Sequence, residues 1–186
     1  MASICVFCGS RGGARSSYGK AAAELGRVLA ERNDTLIYGG GSTGMMGVLA
    51  DEMLARHGHV IGVIPQALAN VELMHAAVTD MRIVPDMHVR KATMHELADA
   101  YVALPGGHGT MEELFEALCW AQLAFHTAPI AVLNVGGYYD GLIQLIDTMI
   151  REQFLCESYR PLLTELNSVD ALKHWLDQHF ATAPRP

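Results

Sequence analysis

The sequence predicts a doubly wound α/β fold, with a mostly parallel sheet covered by helices on both faces. Three observations predict it. Short apolar runs alternate with helical stretches along the whole chain. The runs are continuously apolar, as strands buried on both faces must be. Glycine-bearing turns follow the first, second and fifth runs, and such sheets hold ligands beyond the carboxyl ends of their strands.

The elements follow in order. "ICVFC", residues 4–8, is the first strand. Its cysteines, Cys5 and Cys8, form a C-x-x-C. Positions three apart in a strand face opposite ways, so they read as buried thiols, neither a redox pair nor half a zinc site. A helix over 18–31 leads to "TLIY", strand 35–38, and the turn after it opens a helix over 44–56. "VIGVI" at 60–64 and "RIV" at 82–84 are the next strands. Over 87–98, Met87, Arg90, Met94 and Leu97 recur at spacings of 3, 4 and 3, which is one helix face. "AYVAL" at 100–104 is a strand, and "PGGHGT" turns it into a helix over 110–125. "IAVL" at 130–133, a helix over 139–153, a weaker strand at 162–166 and a helix over 169–179 complete the chain. No linker, low-complexity tract or internal repeat appears, so one Rossmann-like domain is expected over 1–186.

Composition narrows the function. With 51% hydrophobic and 18% charged residues, the chain can bury a substantial core. A net charge of −7, from 13 basic and 20 acidic residues, argues against nucleic-acid binding, which needs a basic footprint. No apolar run approaches the roughly 18 residues of a membrane span. The amino terminus lacks the basic region and apolar core of a signal peptide, so a cytoplasmic protein with reduced cysteines is expected. Of the nine histidines only His57 and His59 lie close together, and no metal is expected.

The glycine loops carry the chemistry. Gly39, Gly41 and Gly44 satisfy G-x-G-x-x-G between a strand and a helix, a weak sign of dinucleotide binding. That fingerprint follows the second strand, however, and the next strand ends "VIGVIP", without an acid for a ribose. No P-loop motif occurs. What survives is an anion cradle, because N–H groups at a helix start attract anions whatever the ligand. Ser10, Gly40, Gly41 and Gly44 are its candidates. Farther on, Gly106, Gly107 and Gly109 permit a close backbone approach, and Thr110 offers a hydroxyl to a phosphate. A second reading needs no ligand: Thr110-x-x-Glu113 is a capping box, with Glu113 reaching back to the Thr110 N–H. Three glycines exceed what such a box requires. Arg90 lies on an otherwise apolar stripe. Either its stem snorkels to solvent, or its head stays inside and needs an anionic partner, Glu113 or a bound phosphate.

Together, "GGGSTGMMG", "MHVRKATM" and "PGGHGTMEE" resemble the LONELY GUY (LOG) family, often mislabelled as lysine decarboxylases, in family order and over nearly the whole chain. The resemblance implies a cytokinin riboside 5′-monophosphate phosphoribohydrolase without a cofactor. Such an enzyme cuts the N-glycosidic bond of an N6-substituted AMP, releasing free base and ribose 5-phosphate. The resemblance also implies that Arg90 and Glu113 are the catalytic pair. Substrate contacts would come from Glu72, Arg90, Lys91, Gly106, Gly107, His108, Gly109, Thr110, Met111 and Glu112. His108 stands where Tyr or Phe is frequent and Cys119 where plant members carry Thr, differences that bear on base preference. The length matches the shorter, dimeric branch.

The residues support the chemistry independently. Glycosidic cleavage passes through an oxocarbenium-like sugar, which a carboxylate near C1′ stabilises while orienting water. Arg90 is expected to pair with Glu113 or the phosphate and keep the carboxylate ionised. A pyridoxal decarboxylase needs a Schiff-base lysine, and of Lys20, Lys91 and Lys173 only Lys91 adjoins the site. Two other functions use the same loops: an AMP nucleosidase-type hydrolase indifferent to N6 substituents, and a nucleotide-binding module without catalysis. Finally, "LFEALCWAQLAF", residues 114–125, is apolar almost all round. It is either deeply buried or part of a homodimer interface around Trp120 and Phe125.

Overall fold

The computed structural model describes residues 1–69 and 74–180. Its strands are β1 (Ser3–Phe7), β2 (Thr35–Tyr38), β3 (Val60–Pro65), β4 (Asp80–Val84), β5 (Ala100–Ala103), β6 (Ile130–Leu133) and β7 (Leu163–Leu166). They form one sheet in the order β4-β3-β2-β1-β5-β6-β7, with every pairing parallel. The helices are α1 (Ser16–Glu31), α2 (Gly44–Leu54), α3 (Gln66–Ala69), α4 (Met87–Leu97), α5 (His108–Gln122), α6 (Asp140–Arg151) and α7 (Val169–His179).

Alternation along the strands builds a core on each face. Ile4, Val6, Leu36 and Tyr38 pack under α1, α2 and α7 through Leu25, Leu49 and Leu172. Cys5, Phe7, Ile37 and Tyr101 pack under α4, α5 and α6 through Met94, Leu114 and Ile146. Cys5 and Cys8 therefore belong to opposite faces. Burial pushes both thiols upward, which keeps them protonated and inert.

The chain runs outward from β1 to β4, then returns to the other side of β1 with β5. Strand order thus reverses between β1 and β5, and their carboxyl ends open a crevice. The two loops there are tied together: Leu104 N–H donates to Phe7 O at 2.9 Å, and Gly9 N–H donates to Pro105 O at 3.1 Å.

Three boundaries differ from expectation for identifiable reasons. Helix α5 begins at His108, two residues before Thr110, because Gly107 takes the N-cap position. Thr110 then lies inside the first turn, and the capping box does not form. The same helix stops at Gln122, short of Phe125, as the chain passes through a positive φ of 58° at Ala124. Strand β4 starts at Asp80, since Asp80 and Met81 continue the ladder with Ile61 and Gly62. The short α3 and the 3₁₀ turns at Val135–Gly137 and Glu157–Leu162 carry no periodic signal.

At the opposite edge of the sheet a buried ionic clamp closes the fold. Arg32, 2% exposed, donates from Nε to Asp34 Oδ2 at 2.7 Å and pairs with Asp177 of α7. Asp34 Oδ1 accepts the Ala2 N–H at 2.8 Å. Asp34 therefore joins the entry to β1, the entry to β2 and the last helix. Removing one partner of a buried pair costs about 3–5 kcal/mol. At roughly 2–4 °C per kcal/mol for a chain this size, Asp34→Ala is expected to lower Tm by on the order of 10 °C. A calorimetric fall of less than about 2 °C would mean that Asp177 alone satisfies Arg32.

Candidate active site

The site is built from α4 and α5 at the end of β3. Asp86 starts α4 firmly, its Oδ1 accepting the N–H groups of His88 and Val89 at 2.8 and 2.9 Å. This fixes the face that carries Arg90 and Met94 into the protein, with Leu97 half-buried and Met87 exposed at the helix start. The Arg90 head stays inside, at 7% exposure for the residue. Its Nε donates to Val63 O at 3.0 Å, and Nη1 lies 3.3 Å from Glu113 Oε1. Gly39 makes this possible: a Cβ there would run into the Arg90 guanidinium.

Glu113, in the second turn of α5, is only 6% exposed. Burial pushes its carboxyl up to about 7; the Arg90 charge draws it down, and Glu112 pushes it up again. Arg90 therefore does not keep the acid fully ionised near neutrality, as its pairing suggested. Desolvation outweighs it and leaves a carboxyl that can both take and give a proton near pH 7.

Two cavities flank the turn between β5 and α5. One, about 320 Å³, is walled by Arg90, Glu113, Thr110, Met46 and Met87. The other, about 440 Å³, is walled by Arg11, Tyr18, Met45, Gly106 and Tyr138. Gly9, Ser10, Gly107 and His108 belong to both.

The structure thus gathers Ser10, Gly107, His108, Gly109 and Thr110 around Arg90 and Glu113, with Gly106 in the wall of the adjoining cavity. The remaining residues singled out from the sequence lie elsewhere. Gly40 O accepts the His75 N–H at 3.0 Å, and Gly41 bridges to Met74. Gly44, at a φ of 62°, presses so closely on the Ser10–Arg11 backbone that a Cβ would collide. Met45 N–H, in the first turn of α2, donates to Gly9 O at 3.1 Å. The second glycine loop therefore props the first one. Lys91 pairs with Glu112 and, at 2.6 Å, with Glu116, bolting α4 to α5 outside the cavity walls. Glu112 and Met111 lie outside those walls too. Glu72 falls outside the described residues.

Several wall residues had no sequence signal strong enough to single them out. Tyr138 donates its hydroxyl to Gly106 O, and Tyr139 donates to Leu104 O at 2.7 Å. The turn after β6 thereby supports the turn after β5. Its clue was position alone, "GGYYD" at the carboxyl end of a strand. Among the described residues no group of three or more His, Cys, Asp or Glu side chains is placed to hold a metal ion.

The paired charges make Glu113 measurable. In a carboxyl-carbon NMR titration it is expected to titrate near pH 7. Arg90→Gln removes the positive charge that favours the ionised form, so the midpoint should move upward. A midpoint near the ordinary carboxylate value, or one that falls in the variant, would contradict this account of the site.

Known proteins share both this sequence and this fold. A family model described as "Possible lysine decarboxylase" matches residues 46–175. The cytokinin riboside 5′-monophosphate phosphoribohydrolase LOG4 of Arabidopsis thaliana is 46% identical over 176 residues, covering 95% of this chain and 82% of its own. A "probable" phosphoribohydrolase of the same name, LOGL9 of Oryza sativa subsp. japonica, is also 46% identical over 176 residues, covering 95% and 78%. Among solved structures, the Moco carrier protein of Chlamydomonas reinhardtii superposes with a TM-score of 0.75 at 20% identity, over 98% of this chain and 99% of that one. The molybdenum cofactor binding protein of Rippkaea orientalis gives 0.70 at 19% identity, over 95% and 96%. These two share the fold alone. The three sequence motifs and the close relatives agree, and the chain belongs to the LONELY GUY (LOG) family.

Proposed function

We propose that this protein hydrolyses the N-glycosidic bond of N6-substituted adenosine 5′-monophosphates to free base and ribose 5-phosphate. One observation carries the reading. A buried arginine–glutamate pair forms the wall of a cavity at the strand crossover, and its carboxyl is poised near pH 7. The names of relatives 46% identical to this chain support the same activity.

The chemistry follows from the pair. The C1′–N9 bond breaks with its electrons leaving on the base, which takes up a proton from solvent. Glu113 later returns to solvent the proton it receives from the attacking water, so one water is consumed overall. Positive charge develops at C1′, and the Glu113 carboxylate stabilises it. Water attacks C1′ and gives its proton to Glu113, whose raised pKa suits it as a base. Arg90 orients that carboxylate and favours its charged form. A module that merely bound nucleotides would not need an acid buried beside an arginine at this cost in desolvation. The reading includes a cytoplasmic setting in which Cys119 and Cys156 stay free, as they are here. No helix among the described residues is long and apolar enough to cross a membrane.

Purified protein given isopentenyl-AMP is expected to release free base, and Glu113→Gln should slow release by about 10²- to 10⁴-fold. The amide still fills the site and can accept from Arg90, so circular dichroism should show a folded chain, with Tm lowered by the loss of the charged partner. Turnover persisting in the variant would sink the reading. Equal cleavage of AMP would shift it to a plain AMP nucleosidase.

A homodimer is the second part of the proposal. Beyond the end of α5, Leu123 and Phe125 are 61% and 73% exposed, so burial within one chain does not account for them. Trp120 stacks on His95 with ring centroids 4.4 Å apart and meets Phe125 edge-on at 6.3 Å. That patch suits a two-fold contact. Light scattering at micromolar concentration should give twice 20.2 kDa. A fully active monomer at that mass would rule the dimer out.

A further inference from the structure

We propose that Arg11 receives the 5′-phosphate of the substrate, which makes the cavity beside Tyr18 a phosphate subsite separate from the cavity where the sugar is attacked. The proposal rests on the nucleotide reading above and begins with the cations. Among the described residues, Arg11 and Arg90 are the Lys or Arg side chains that line either cavity. Arg90 is committed, to Val63 O through Nε and to Glu113 through Nη1. Lys91, next to Arg90 on α4, lines neither cavity and is held by Glu112 and Glu116. Arg11 is exposed at the wall of the larger cavity.

The acids point the same way. Glu113 is a wall residue of the smaller cavity, whereas no carboxylate lines the larger one. A phosphate monoester carries close to two negative charges at neutral pH. Placed beside Glu113 it would repel the carboxylate that the reaction needs, and it would raise a pKa already near 7. Placed beside Arg11 it meets a cation instead. There it also meets the Ser10 hydroxyl and glycine backbone at positions 9, 13, 106 and 107.

Helix α5 adds a third contribution from the shared wall. Its N-cap is Gly107, with no side chain accepting from the first turn, so the N–H groups there are free to meet an anion. By contrast α4, whose Met87 lines the smaller cavity, is capped by Asp86, and α7, away from both cavities, by Ser168. A nucleotide then straddles the Gly107–His108 wall, its phosphate on the Arg11 side and C1′ on the Glu113 side. Selectivity for monophosphates over nucleosides follows from Arg11.

Calorimetry with ribose 5-phosphate and with ribose tests this without requiring turnover. The wild type should bind ribose 5-phosphate and not ribose. Arg11→Gln should weaken that binding by about 10- to 100-fold, the usual worth of a charge-assisted contact, while Arg11→Lys keeps most of it. In turnover, Arg11→Gln should cut the preference for isopentenyl-AMP over its nucleoside by the same factor, through KM and not kcat. Circular dichroism checks that the exposed substitution leaves the fold intact. An unchanged dissociation constant in Arg11→Gln would overturn the proposal, as would a wild type blind to ribose 5-phosphate. If no nucleotide is cleaved yet Arg11→Gln still loses ribose 5-phosphate, the subsite stands and the hydrolase reading falls.

Discussion

An arginine and a glutamate buried against each other set the terms for everything around them. A charge removed from water must be matched on every side, or the desolvation cost exceeds the attraction. Arg90 meets that demand with Glu113, with the carbonyl of Val63 and with the space left by Gly39. Each partner belongs to a different element: α5, β3 and the loop after β2. The pair therefore holds only if the sheet, both helices and the glycine loop are in place together. The same desolvation leaves Glu113 undecided between charged and neutral.

Topology brings the supports within reach. Because strand order reverses beside β1, the loops after β1 and β5 leave adjacent strands and bond directly to each other. The loop after β2 then braces the first through Gly44 and Met45, and Tyr138 and Tyr139 brace the last from the β6 side. Four connections converge on one rim. Rigid backbone there means that little reorganisation is needed when a ligand arrives.

Much of this was legible in the sequence because the relevant signals are local. Continuous apolar runs reveal parallel strands, and the spacing of Arg90 and Met94 reveals which face of α4 turns inward. What was not legible depends on three-dimensional competition. Thr110 and Glu113 have the spacing of a capping box, but Gly107 takes the cap position and Arg90 takes the glutamate. Within G-x-G-x-x-G, Gly39 leaves room for the Arg90 guanidinium and Gly44 for the Ser10–Arg11 backbone, packing that only the folded chain reveals. Lys91 reads as a site residue, and two glutamates from α5 engage it. Arg11 and Tyr138 stand out only once the loops are folded together, since neither belongs to a motif.

The Arg32–Asp34–Asp177 clamp sits at the amino-terminal edge of the sheet, and the site sits at the carboxyl edge. Strands of four to six residues separate them by about 15 Å at roughly 3.3 Å per residue. Parallel strands sort the molecule into a floor that holds it together and a rim that does its chemistry. Lineages can then rewrite the rim loop by loop while the floor keeps the chain folded. A similar fold in proteins named as a molybdenum cofactor binding protein and a Moco carrier protein, at about a fifth of residues identical, is compatible with such a division.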